Sequence, residues 1–185
     1  AAAADAQGRK KHLRRSDAAL TVMAALLGLD ELENSRVAHE LIRLRLRVPI
    51  VHYLTSIHPK PLRMRWRQVH GERPHNGKLP DSVRPFITNP MMLAKLSSFV
   101  ALYNRLDEGD GRSVTAAMLL SAWEVHVRVG SAGLDINAAW YAIRDVRSRI
   151  VGWERCARCQ AMYIYEPNVS HARSCPFCRL ARARC

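Results

Sequence analysis

The stretch RCARCQAMYIYEPNVSHARSCPFCR, Arg155 to Arg179, decides how the end of this chain folds. Cys156 and Cys159 form one pair with two residues inside, Cys175 and Cys178 form another, and fifteen residues separate the pairs. That is the C-x2-C-x15-C-x2-C spacing of a structural zinc site. Two residues between thiolates make a tight knuckle that can present both sulfurs about 2.3 Å from one ion. The intervening length suits a short hairpin, and AMYIYEP has the β-branched and aromatic content of one of its strands. A segment this short cannot bury a sufficient core; a metal supplies on the order of 10–16 kcal/mol in its place. Four thiolates fill a tetrahedron and leave no position for water, so the expectation is one structural zinc per chain. An iron–sulfur cluster shares four-thiolate ligation, and the site is therefore better defined than the metal. His171 reads as a solvated loop histidine, and Cys185 as an idle thiol.

Outward from this module the charge is the next signal. Lys and Arg number 29 against 16 acids, for a net charge of +13 and a pI near 10.3. Such an excess fits attraction to a polyanion, because each neutralised phosphate releases condensed counterions. Arginines outnumber lysines heavily, and Arg is the residue that forks onto phosphate and guanine. An acidic partner subunit is the other outlet for the charge. No apolar stretch approaches the ~20 residues that span a bilayer, and AAAADAQGRKKHLRR lacks the apolar core of a secretory signal. A soluble cytoplasmic protein is expected, in a reducing compartment that favours metal thiolates over disulfides.

Three segments are expected: a flexible basic arm over 1–15, an α-helical DNA- and partner-binding domain over 16–150, and a zinc-binding module over 151–185. Ser16 and Asp17 are N-cap types before a helix with Leu20, Met23 and Leu27 at helical spacing. A second helix is expected from near Ser35, with Val37, Leu41, Leu44 and Val48 on one face, ending before Pro49. Within it, IRLRLRV also alternates as a half-buried strand does; helix is preferred because its neighbours are helical and no partner strand is visible. Asn89-Pro90 opens a helix lined by Leu93, Leu96, Val100 and Tyr103, since Pro suits the first helical position. Ser113 to Val129 is another, with Ala116, Leu120, Trp123 and Val127 inward. Asp135 caps a last helix carrying Ala139, Trp140, Ile143, Val146 and Ile150, closed by Gly152. Residues 71–90 are a loop rich in Gly and Pro.

The second informative stretch runs from Val48 to Gly71, VPIVHYLTSIHPKPLRMRWRQVHG. Leu62, Trp66 and Val69 share one helical face, while Lys60, Arg63, Arg67 and His70 form an adjoining cationic stripe, with Arg65 nearby. A short apolar helix and a tight link precede it, which is the order of a helix-turn-helix whose second helix enters the major groove. A basic solvated helix has the same pattern. Enzyme signatures are weaker. His70, Gly71 and Glu72 give H-x-E, but Arg155 and Ser174, not proline, precede the cysteine pairs, against a zinc deaminase. No P-loop and no G-x-S-x-G elbow occurs.

These two features, in this order and at this distance, resemble the FlhC family of flagellar transcriptional activator subunits. The likeness rests on Glu40 to Ile42 (ELI), Leu62 to Gly71 (LRMRWRQVHG), Asn76 to Pro80 (NGKLP), Ala139-Trp140 and the four cysteines, and it covers about residues 35–180. HPKP, with Pro59 and Pro61, departs from the family's helix start. The resemblance implies a mainly α fold with a helix-turn-helix-like segment and a small C-terminal zinc-ribbon module built on four cysteines. It also implies a non-enzymatic activator subunit that works in a hetero-oligomer with FlhD, on double-stranded promoter DNA and with RNA polymerase. Cys156, Cys159, Cys175 and Cys178 would hold zinc; Lys60, Arg63, Arg65, Arg67 and His70 would face DNA. The alternative is a zinc-ribbon adaptor whose basic face binds an acidic protein or RNA.

Overall fold

The computed structural model describes residues 28–107, 113–129 and 133–183. The basic arm, the Ser16–Asp17 cap, the Leu20, Met23 and Leu27 face, and Cys185 lie outside these residues. Residues 28–43 form α1, and the chain divides into two units between Val37 and Ala38. In the first unit the described residues 28–37 are helical, with an Arg36–Glu33 ion pair at 2.8 Å and Leu29 and Leu32 exposed. All later elements belong to the second unit.

The helix start expected near Ser35 is absent, because Ser35 lies inside α1. A serine caps a helix only where the preceding residues are not helical, and the Leu- and Glu-rich run before it favours helix. Nor does the helix continue to Pro49. α1 stops at Arg43, Arg45 takes φ 64, and the N–H groups of Arg45 and Leu46 return to the carbonyls of Ile42 and Leu41 at 2.8 and 3.0 Å. This is a Schellman-type ending with arginine where glycine is usual. IRLRLRV is thus divided between a helix end and a turn.

Pro49 sits instead in the first turn of α2, Val48–Thr55, where its missing N–H costs nothing. Three residues then link α2 to α3, Pro59–His70. Pro59 opens α3, His58 accepts a hydrogen bond from the Lys60 N–H at 3.3 Å, and Gly71 at φ 69 closes it. The two-proline start is therefore compatible with a regular helix. Leu62 and Trp66 are buried and Val69 is half-buried, as the apolar stripe predicts.

The core is built around α4, Pro90–Leu106. Asn89 Oδ1 accepts from the Met92 N–H at 2.8 Å, and Leu93, Leu96, Phe99, Val100 and Tyr103 are fully buried. On it pack α5, Ala116–Arg128, and α6, Ile136–Arg147. α5 presents a different face from the one expected. Leu119, Ala122 and His126 are buried with Ala116 and Leu120, while Trp123 is half-buried and Val127 exposed. His126 is accommodated by aromatic rings, with Phe99 edge-on at 5.3 Å and Trp123 at 5.7 Å. α6 begins at the Asp135 cap, as expected, but ends at Arg147; Ile150 lies beyond it and is exposed.

Gly152 does not close a helix. It starts β1, Gly152–Arg155, which pairs antiparallel with β2, Met162–Tyr165, in the register Gly152↔Tyr165 to Arg155↔Met162. A Cβ on Gly152 would come within 3.3 Å of the Tyr165 Cβ and carbonyl oxygen, which explains glycine there. α7, Pro176–Arg182, follows the second cysteine pair. β2 and α7 both pack on α4, and the Ile164 N–H donates to Ser97 Oγ at 3.1 Å. The architecture is mainly α with one small hairpin.

Two carboxylates and three arginines join these parts. Asp145, fully buried on α6, accepts from the Val83 N–H at 2.6 Å and from Arg144 Nε at 2.7 Å. Glu166, at the end of β2, accepts from Arg84 Nε at 2.8 Å. Arg47 donates to the carbonyls of Gly77 and Lys78, and Arg144 to that of Asp81 at 2.8 Å, so guanidinium groups hold the 71–89 loop by its backbone. Among the described residues no helix is long and apolar enough to cross a membrane.

Candidate functional site

The first cysteine pair occupies the turn of the β1–β2 hairpin and the second the entry to α7. The turn is closed by Gln160, at φ 60, whose N–H returns to the Cys156 carbonyl at 2.9 Å; Cys156 N–H reaches the Ala161 carbonyl at 3.0 Å. Pro176 then begins α7 directly after Cys175, and one helical turn brings Cys178 beside it. All four Sγ atoms lie within 4.8 Å of one another. Cys156 and Cys178 are 3.7 Å apart, Cys159 and Cys175 3.6 Å. Four sulfurs set tetrahedrally about 2.3 Å from one ion would be about 3.8 Å apart, so the cluster fits the size of a zinc–tetrathiolate centre. His171 is not part of it.

The electrostatics of the cluster also call for a cation. Backbone N–H groups of Cys159 and Arg158 bring the Cys156 thiol down to about 6. Cys178 is pushed up to about 12, first by hydrogen bonding with the Cys159 thiol and then by desolvation, and burial raises Cys175. Four sulfurs this close ionise together only when a positive ion compensates them. An all-sulfur donor set with no room for water suits a thiophilic dication such as zinc, and gives it no open position for catalysis.

The five candidate DNA-facing residues are placed differently by α3. Lys60, Arg63 and Arg67 are exposed, on the side of the helix away from Leu62 and Trp66. Arg65 is half-buried. His70 turns towards the body: its ring lies 4.6 Å from that of Trp66, and Nε2 is 2.8 Å from the Ile42 carbonyl oxygen. Its hydrogen bond ties the end of α3 to α1, and the exposed stripe is formed by Lys60, Arg63 and Arg67. Met64 and Gln68 share the exposed surface of α3, with Met64 53% exposed. A stripe read from charge alone passes over them. Their signal is present in the sequence, since the helical positions opposite Leu62 and Trp66 include them. Glu72, the acid of the H-x-E sequence, pairs with Arg45 at 2.7 Å, and that ion pair holds its carboxyl below the usual range.

Around the cluster, Arg155, Arg158, Arg173 and Arg179 are exposed, giving the module a basic rim. Arg173 is partly engaged, its Nε donating to the Pro167 carbonyl at 2.8 Å.

The chain is similar to known proteins over most of its length. A family model described as "Flagellar transcriptional activator (FlhC)" matches residues 24–184. The flagellar transcriptional regulator FlhC of Gallionella capsiferriformans (strain ES-2) is 26% identical over 156 residues, 80% of this chain and 84% of that protein. The flagellar transcriptional regulator FlhC of Sodalis glossinidius (strain morsitans) is 24% identical over 157 residues, 81% of this chain and 79% of that protein.

Proposed function

The chain belongs to the FlhC family of flagellar transcriptional activators, and from that membership we propose that it is the DNA-binding subunit of a hetero-oligomeric activator, joined to an FlhD-like partner. In this reading α2 and α3 act as a helix-turn-helix, and α3 enters the major groove of promoter DNA. The observation that carries it is the division of α3 into two faces. Leu62 and Trp66 are buried, while Lys60, Arg63 and Arg67 are exposed on one ordered helix. Arg63 and Arg67 lie one turn apart, where a guanidinium can fork onto guanine O6 and N7. Gln68 and Met64 offer an adenine-type pairing and an apolar contact for a thymine methyl.

Cys156, Cys159, Cys175 and Cys178 hold one structural zinc. The ion fixes the hairpin turn against the start of α7 and so presents the basic rim of Arg155, Arg158 and Arg179 as a second surface for phosphates. The complex works in the cytoplasm with RNA polymerase at flagellar promoters; the family's role supports this, and the basic charge is offset by DNA and by the partner.

Fluorescence anisotropy on flagellar promoter DNA and on a scrambled duplex, at several salt concentrations, tests the reading. Arg63→Ala or Arg67→Ala should cost ~1–3 kcal/mol on the promoter and flatten discrimination between the duplexes. Arg158→Ala should weaken both duplexes alike and reduce the salt slope by about one unit. If both α3 variants keep full promoter preference, α3 is a solvated basic face and the reading passes to the arginines of the zinc module; if the unaltered chain shows no promoter preference, the zinc-ribbon adaptor reading takes its place.

A further inference from the structure

Where the β1–β2 hairpin meets the end of α6 lies an open cavity of about 630 Å³, whose wall includes Arg84, Arg149, Ile150, Trp153, Tyr165 and Glu166. The cysteines are at the other end of the hairpin, because Gly152 pairs with Tyr165 here and Arg155 with Met162 beside the turn. No residue of α3 lines the cavity. This surface is therefore separate from both the basic rim and the exposed stripe of α3.

Arg149 is the unusual member of the wall. It follows α6 with φ 57; its N–H returns to the Val146 carbonyl at 3.2 Å, and the Ile150 N–H to that of Asp145 at 2.8 Å. Glycine takes such a left-handed helix ending most readily, having no Cβ. Arg45 has the same conformation after α1, but its guanidinium pairs with Glu72 at 2.7 Å. Arg149 is exposed, and among the described residues its side chain has no hydrogen bond or ion pair. A non-glycine residue held in this region is strained, and strain of this kind collects at functional positions. The guanidinium is left available to a group from outside the chain.

The charge of the wall is complementary to an acid. Glu166 is its one carboxylate, and both oxygens are taken: Oε2 by Arg84 Nε at 2.8 Å and Oε1 by the Asn168 N–H at 3.0 Å. Its side chain is 3% exposed, whereas that of Arg84 remains 43% exposed. Two guanidinium groups thus face solvent over a carboxylate that is already satisfied. Between them the surface is apolar and aromatic, with Ile150 exposed and Trp153 and Tyr165 half-buried, and neither Lys nor Asp lines it. Tryptophan, tyrosine and arginine without lysine or aspartate is the make-up of the strongest contacts between proteins. A concavity admits side chains, while the phosphates of a duplex lie on a convex surface. We propose that this cavity is a docking site for an acidic segment of a partner protein, which sets carboxylates on Arg149 and Arg84 and an apolar side chain against Ile150 and Trp153. The site stands whether or not α3 reads promoter DNA.

The experiment is a titration of the 15N-labelled, zinc-loaded full chain, followed at the indole N–H of Trp153, which Trp153→Phe identifies among the tryptophans. The probe is the end-blocked peptide Asp-Asp-Leu-Asp-Asp, at an ionic strength held constant with NaCl. It should shift the Trp153 signal saturably within about 5 mM, the range of so short a peptide. Asn-Asn-Leu-Asn-Asn should not bind, and Asp-Asp-Ser-Asp-Asp should bind more weakly. Arg149→Gly should weaken the leucine peptide about fivefold, as loss of one partly exposed charged contact does. The same variant should keep or raise the urea midpoint, since glycine relieves the left-handed backbone. Arg105→Ala removes an equal charge from the exposed side of α4 and should leave the affinity unchanged. Absence of a saturable shift, equal binding of the asparagine or the serine peptide, or equal affinity in Arg149→Gly and the native chain overturns the proposal. So does equal weakening by Arg105→Ala, which would mark attraction to net charge alone. Equal binding of pentathymidylate would overturn it in favour of single-stranded nucleic acid. No promoter is present, so these outcomes are independent of the anisotropy test.

Discussion

The helical body and the cysteine module reach their structures by opposite means. In the body, α4 is surrounded by large apolar side chains, and Leu41, Leu62, Trp66, Leu93, Phe99, Tyr103 and Leu119 are all buried. No single one of them decides the fold, since a well-packed core tolerates a loss of a few kcal/mol per side chain. The module buries little of its own: Val151, Tyr163, Ile164, Ala172 and Cys175 are its main buried apolar residues. Its geometry depends on four sulfurs meeting at one point. A distributed core degrades by degrees, whereas a metal-held turn is either assembled or lost.

The largest expected effect is therefore in the smaller region. Cys159→Ala, or zinc chelation, should remove most of the ~10–16 kcal/mol that a structural zinc supplies. Hydrogen exchange should show lost protection in Met162–Tyr165 while Leu93–Tyr103 stays protected. If α4 loses protection to the same extent, the two regions are one cooperative unit and the contrast is wrong. Elemental analysis should also find close to one metal per chain in fresh protein.

A middle-sized effect tests whether the body has a weak point of its own. Asp145 is its one fully buried carboxylate among the described residues, and it joins α6 to the 71–89 loop. Asp145→Ala leaves the Val83 N–H and Arg144 Nε without their acceptor, at a cost of about 3 kcal/mol in urea unfolding. A loss below that of an ordinary surface substitution would show that the loop is held without Asp145, by the Arg47 and Arg144 bonds to its carbonyls and by packing.

The smallest effect concerns the joint between the regions and depends on pH. Burial alone would raise the Glu166 carboxyl, but the Asn168 N–H and the Arg84 guanidinium outweigh it and hold the pKa below the usual value. A carboxyl lowered on folding adds stability above its unfolded pKa of about 4.3, and that stability fades as pH falls through and below this value. Glu166→Gln should then cost about 1 kcal/mol at pH 7, discounted for the half-exposed arginine. The gap to the native chain should narrow steadily in urea titrations as pH falls below about 4. A gap that persists there would assign the effect to packing.

What the sequence disclosed follows from how local each signal is. Asn89-Pro90 and Asp135 begin helices because a cap acts within one turn, and both are found where expected. The cysteine spacing is equally local and brings the four sulfurs together. The face of α5 differs from its apolar pattern because His126 counts as polar in sequence, although aromatic neighbours from α4 and α5 make a place for it. β1 was hidden because GWER does not alternate as a strand does, and β2 selects it by pairing. A pocket lined by Arg47, Trp66 and Tyr141 was illegible for the same reason. Arg47, Trp66 and Tyr141 are far apart in sequence, and only the tertiary structure collects them.

Asn137 gives the fold an order in time. Its side chain accepts from the Arg47 N–H and donates to the Arg45 carbonyl, across separations of 90 and 92 residues. The turn that aims α2 and α3 is therefore fastened by a residue synthesised long after them. At about 5–20 residues per second, a growing chain carries α3 outside the ribosome for several seconds before α6 follows. During that interval the turn before α2 lacks its bonds to Asn137. A nascent chain interrupted before Asn137 would display a basic helix without the fastening of its turn, an easily recognised target for chaperones and proteases. A chain completed through α6 gains the Asn137 fastening of that turn.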